Sequence, residues 1–431
     1  MPIAKSRLGA AALSLAFALW SSTGVAGSTD TAMYFHSHVQ DAPTCSMSAS
    51  ADGAIGFPSA ISAPAATCPD AYGWKQFIEA VQGHFWENWA NDETVWVVDP
   101  KPICTTDTQT DCCFVAPGES VQVGYHGADG QPVKPADIGG PGTYCPYIPG
   151  DWGGSDETTF EGGKPVTSHN TTFLRHLDPA RIARQREAEV VYRNDAFVRY
   201  TTANEMYSGP GLRALFNRIS GEAANSAPYR PNGQGASYPS DAVMFKVDWI
   251  PEKTMVSFGY VSDHDNDPST IPQDPKHPYI KIRMKVSTAP NKPKTEGIYY
   301  MAAVTGASKA LPNWHWYAFE HVNNVGRCDF TGCNDSYGFS TSVTMASPLD
   351  PKKTITVQSN FIRPLVESDQ LADSSDLFKL GQHYPSGQMN AGLEAIFKAT
   401  GIGSGGAAVA PQMPKTTDPA RQSYRLKGTQ T

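Results

Sequence analysis

VMFKVDWIP, residues 243–251, alternates Val243, Phe245, Val247 and Trp249 with Met244, Lys246 and Asp248. Successive side chains of an extended chain point to opposite faces, so this period of two marks a strand with one buried and one wet face. IKIRMKV, residues 280–286, repeats the pattern, with Ile280, Ile282, Met284 and Val286 set against Lys281, Arg283 and Lys285. Further strands are expected over 255–261, 297–304, 314–322 and 354–358, joined by Pro-, Gly- and Asp-rich loops without intervening helices. Strands in such a series favour antiparallel pairing. The fold class expected is α+β: one dominant antiparallel sheet, curled or sandwich-like, with a helical block and a loop-rich, disulfide-stapled N-terminal region.

Helices are expected on both sides of the strands. Between 71 and 90, Trp74, Phe77, Ile78, Val81, Phe85, Trp86 and Trp89 recur at three- and four-residue steps, which builds one aromatic helix face. Asp178-Pro179 offers a capping acceptor followed by a residue that needs no donor, and predicts a helix running to Asn204. Shorter helices are expected over 211–219 and 386–400. Residues 27–154 and 155–400 are expected to pack as one unit. Gly, Ala and Pro dominate 401–420, so 401–431 reads as a linker-like tail whose final YRLKGTQT docks as an edge strand or meets another domain.

The first 26 residues carry Lys5 and Arg7, an apolar run from Leu8 to Trp20 and a small-residue exit at Ala26. This is the pattern of a signal peptide and predicts a periplasmic or secreted protein. The run is shorter than the roughly 20 apolar residues a membrane span needs, so an integral membrane protein is not expected. A formal net charge of −8 and a pI near 5.8 argue against nucleic acid, whose phosphates need clustered Lys and Arg. All eight cysteines, Cys45, Cys68, Cys104, Cys112, Cys113, Cys145, Cys328 and Cys333, follow the leader. An even count in an exported chain reads as disulfides; Cys328 and Cys333 are expected to pair, and the pairing of the other six stays open.

One stretch concentrates chemistry: PNWHWYAFEHVNNVGRCDFTGCNDSYG, residues 312–338. Read as a strand, it places His315, Tyr317, Phe319 and His321 on one face and Glu320 on the other. Read as a helix, it would bring the imidazoles and Glu320 together, so the candidate site is His315, Tyr317, Glu320 and His321. Asp263, Asp265 and Asp267 stand at alternate positions of a loop, a pattern of oxygen ligands that suits Ca²⁺.

Four blocks, W-x-W-x-x-F-E-H at 314–321, GRCDFTGCNDSYG after it, MFKVDWIP before it and the terminal YRLKGTQT, resemble a poorly characterised family of exported bacterial proteins often labelled cytochrome c-like. The match spans residues 70–431 in short blocks. In such relatives the Y-x-L-x-G-T-Q segment precedes a c-type haem attachment motif. C-x-x-C-H occurs nowhere in these residues, so no covalent haem is expected on them. Three readings remain open: a redox-associated protein with a redox or envelope partner, a non-catalytic ligand-binding or envelope-structural module, and a metal-dependent hydrolase using His321 and Glu320.

Overall fold

The computed structural model describes residues 39–50, 53–106, 108–115, 123–126, 132–133, 144–148, 158–161, 164–165, 188–224, 236–257, 259–261, 274, 276–286, 295–324, 333–339, 342–346, 350, 352–358, 361–362, 388–403 and 419–430. The signal peptide expected at the start, the calcium loop of Asp263, Asp265 and Asp267, and Cys328 lie outside these residues. The architecture is α+β with one dominant antiparallel sheet, as the alternation predicts. That sheet contains β1 (Thr158–Glu161), β2 (Lys164–Pro165), β3 (Ala188–Arg193), β4 (Val243–Pro251), β5 (Lys281–Val286), β6 (Thr295–Ser308), β7 (His315–His321) and β8 (Tyr424–Gln430). Its pairing order is β8–β7–β6–β5–β1–β2, with β4 also on β6 and β3 beyond β4. Three small antiparallel sheets stand apart from it.

The 14-residue β6 holds the sheet together. One edge pairs with β4 from Tyr299 to Ser308, while the other pairs with β5 up to Tyr300 and with β7 from Ala303 onward. Strands β5 and β7 therefore lie end to end along one edge, and a seam opens between them near Ala302. Across this sheet lies α1 (Pro69–Gln82), followed after Gly83 by the single turn α2 (Phe85–Asn88). His84, with φ +46°, breaks the expected 71–90 helix between them. The apolar face of α1 supplies the core: Phe77 stacks on Phe319 at 4.3 Å, and Trp74 meets Phe319 edge-on at 4.8 Å. Gly338 passes so close that a Cβ there would lie 2.5 Å from Trp74 Nε1, which leaves no room for a larger residue.

Two segments differ from the sequence expectation. Residues 188–193 form β3 instead of continuing a helix, because AEVVYR buries Ala188, Val190 and Tyr192 on one side in register with β4. Beyond this strand the expected helix is observed as α3 (Asp195–Ala203), capped by Asn194, whose Oδ1 accepts from the backbone N–H of Phe197; residues 178–187 lie outside the described residues. Its neighbour α4 runs over Gly209–Ala224. The strand expected at 255–261 is replaced over Glu252–Ser257 by the helix α5, directly after Pro251 ends β4. Near the end, α6 (Ala391–Thr400) matches the expected helix. Of the two expectations for the final YRLKGTQT, the edge strand is observed: β8 pairs with β7 from Tyr424 to Gln430.

Disulfides join Cys45 to Cys68, Cys104 to Cys112 and Cys113 to Cys145. Cys333 is also disulfide-bonded, and no described cysteine is free. These bonds fit an oxidising compartment. Among the described residues no helix is long and apolar enough to cross a membrane.

Candidate functional site

Strand β7 is extended, so its two histidines share the inward face and stand about 20 Å apart over six residues. His315, Tyr317, Phe319 and His321 point into the molecule and are buried. Glu320 points the other way and pairs with Lys427 of β8. The four candidate residues therefore do not converge on one centre.

His321 closes the seam between β5 and β7. Its Nε2–H donates to the Pro278 carbonyl at 3.2 Å, and its Nδ1 accepts from the Asn323 backbone N–H at 3.1 Å. The ring stacks on Tyr279 at 3.4 Å between centroids. Burial holds its pKa down to about 3, so it is neutral and has no lone pair left for a metal. Neighbouring groups finish the repair: Tyr424 Oη donates to the Met301 carbonyl at 2.7 Å and accepts from Ile280 N–H, while Asn324 Nδ2 donates to the Ala302 carbonyl. Carbonyls and N–H groups that an unbroken ladder would have paired are satisfied by side chains.

His315, at the other end of β7, is equally buried, but neither of its ring nitrogens has a hydrogen-bond partner of normal geometry. Burial lowers its pKa to about 4, against the opposing pull of Asp70 and the Pro69 carbonyl. Its ring meets Tyr72 of α1 edge-on at 5.3 Å, and Tyr72 Oη lies 3.4 Å from Ser308 Oγ. Beside it, Tyr317 lies flat on β6 at Gly306, where an added Cβ would fall 2.0 Å from the ring.

A buried carboxylate clasp near His315 was not apparent from sequence spacing. Asp41, brought close by the Cys45–Cys68 bridge, accepts from the backbone N–H groups of Asp70 and Ala71 and so caps α1. Asp70 in turn accepts from Ser336 N–H, Ser336 Oγ and Thr429 Oγ1. Asp335 accepts from Trp74 Nε1 and from the N–H groups of Tyr337 and Gly338. Burial, reinforced by Asp70, pushes the Asp335 pKa up to about 8 despite those donors. The clasp joins the N-terminal segment, α1, the 335–338 turn and β8, which is a structural task.

Above Tyr72 the surface opens into a cleft of about 600 Å³. Its wall is the face of α1 opposite the core, with Tyr72, Lys75, Gln76 and Glu79 at positions i, i+3, i+4 and i+7. Trp89, Ser240, Asp241 and Leu311 also line it, with small residues of 62–65. Lys75 and Glu79 form an ion pair. Among the described residues neither the Gln76 amide nor the Asp241 carboxylate has a hydrogen-bond partner. Burial raises the Tyr72 pKa, the Ser308 contact opposes this, and Glu79 and Asp241 raise it further. The polar stripe on α1 was legible as helical spacing; its partners from 241 and 311 were not, because only the fold brings them there.

Among the described residues no three His, Cys, Asp or Glu side chains stand close enough to hold a metal ion. No protein-family model, curated protein or solved structure matches the chain.

Proposed function

We propose that this is an exported binding protein that takes a small polar ligand, without transforming it, in the cleft between α1 and the segments at 241 and 311. The cleft itself carries the reading: its volume lies within the roughly 300–1,000 Å³ usual for small-molecule sites, and it combines two aromatic rings with a few polar groups. His321, the residue that a metal hydrolase would need, is committed to Pro278 and Asn323. Glu320 faces away from it, bound to Lys427.

The test is thermal unfolding of wild type and Ala63→Trp, which fills the cleft from an exposed position on its wall, against a library of sugars, amino acids, polyamines and organic acids. A ligand at a hundred times its Kd stabilises by about 2.7 kcal/mol, so at least one compound is expected to raise the wild-type midpoint and leave the variant unmoved. If no compound distinguishes the two proteins, the binding reading fails.

A further inference from the structure

We propose that the ligand is a carbohydrate, and that Trp314, Tyr238 and Tyr200 beside the cleft form a shelf for further sugar units of the same chain. The inference rests on the cleft being a binding site and names what it takes. A sugar hydroxyl both donates and accepts, and the cleft offers both functions: the Lys75 ammonium donates, the Glu79 and Asp241 carboxylates accept, and the Gln76 amide does either. A dicarboxylate would face Glu79 and Asp241, and a polyamine, with Lys75 already held on Glu79, would find one carboxylate of the lining, Asp241, for its several cations. Neutral hydroxyls meet no like charge. The rings of Trp89 and Tyr72 supply flat apolar surface with polar tips, which suits the C–H face of a pyranose.

The shelf is continuous with this lining. Tyr238 lies two residues before Ser240 and three before Asp241, both in the cleft wall, and the Trp314 N–H donates to the carbonyl of Leu311, also in the wall. Tyr238 stacks on Phe197 at 4.2 Å between centroids and packs near Tyr200 at 4.6 Å and Trp314 at 5.8 Å. Phe197 is buried beneath, whereas Tyr200, Tyr238 and Trp314 keep part of their surface in solvent.

A second observation is independent of the lining. Trp314 has φ +67°, in the left-handed region, where a bulky side chain is strained and Gly or Asn would be relaxed. Strain of this kind persists where surrounding packing enforces it, and it concentrates at working surfaces. Here it presents an indole at the rim of a cleft.

Calorimetric titration of the full chain with neutral mono- to tetrasaccharides, spermidine and succinate tests the proposal. Trp314→Gly relieves the backbone but removes an indole packed against Phe197 and Ala242, so the titrations are run well below its unfolding midpoint, where the variant is folded. Its affinity for tri- and tetrasaccharides is expected to fall at least tenfold, with monosaccharide binding unchanged. Gln76→Ala is expected to weaken saccharides of every length. If spermidine or succinate binds, is blocked by Ala63→Trp, and no saccharide does, the carbohydrate assignment is overturned while the binding reading stands. If saccharides bind but Trp314→Gly shows no dependence on length, the shelf is overturned. Silence from every probe and from the wider library removes both.

Discussion

His315 and His321 lie on the same face of the same strand, and both are fully buried, yet their surroundings are opposite. His321 has both nitrogens bonded to backbone and repairs a gap in the sheet. His315 has no hydrogen bond of normal geometry at either nitrogen, only the pull of the Pro69 carbonyl, and lies behind Tyr72, one layer below the cleft. Burial alone therefore does not tell a histidine that repairs the sheet from one that lies behind the cleft. The balance of satisfied and unsatisfied polar atoms does, since a buried group without partners carries a desolvation cost that packing elsewhere must offset.

The same substitution at both positions should break the pair apart most visibly. His321→Phe strands the Pro278 carbonyl and the Asn323 N–H, and is expected to cost about 2–4 kcal/mol in urea unfolding. His315→Phe removes two nitrogens that lack hydrogen bonds of normal geometry and is expected to change stability by less than about 1 kcal/mol. Equal costs at the two sites would sink the distinction.

Asp335 extends the comparison to a buried carboxyl that accepts from three N–H donors. Its folded pKa of about 8 lies above the ordinary 3.8, so the stability it contributes is complete below pH 4 and is lost as pH rises toward 8. The histidines work in the opposite sense: neutral when folded, they lose stability as pH falls from 6.5 toward their folded values of about 3 and 4. Of these three groups, Asp335 is the one that changes stability between pH 6.5 and 8, lowering it by up to about 1.4 kcal/mol per pH unit. Asp335→Asn is expected to flatten stability across that window. An unchanged slope in the variant would mean that the three donors keep Asp335 ionised.

On the acid side, His315→Phe should remove one of the two histidine contributions and make unfolding between pH 4.5 and 6.5 visibly less pH-dependent than in wild type. The smallest effect belongs to Glu320. Glu320→Gln breaks a partly exposed ion pair with Lys427 and is expected to cost under about 1 kcal/mol, with cleft binding intact. A loss of ligand affinity in that variant would return Glu320 to the site.

The sheet was legible because β4, β5 and β7 alternate with one face in the core, whereas β6, buried without a break from 298 to 302 and packed on both faces, showed itself only as an apolar run. Residues 188–193 were misread for a physical reason: AEVVYR sits among strong helix formers, and the cap that starts the helix, Asn194, lies behind it. MVSFGYV at 255–261 carries strand-forming residues, but Pro251 ends the strand and Glu252 opens a helical turn in its place. At the candidate site, the strand reading correctly separated Glu320 from His321. The seam that occupies His321 could not be read, since it depends on two strands meeting end to end on β6. The cleft likewise draws on residues from 62 to 311, and no local pattern connects them.

The clasp has a kinetic consequence. Thr429 donates to Asp70 across 359 residues of chain, and Tyr424 of the same strand plugs the seam. Closing so long a loop precedes any gain from the contact, so folding is expected to be slow and to be completed by β8. Until that strand arrives, β7 offers an open edge and α1 lacks one of its buried carboxylate's partners. The interval in which the chain can still be kept unfolded, or in which β7 can pair wrongly with another copy, ends with the docking of seven residues.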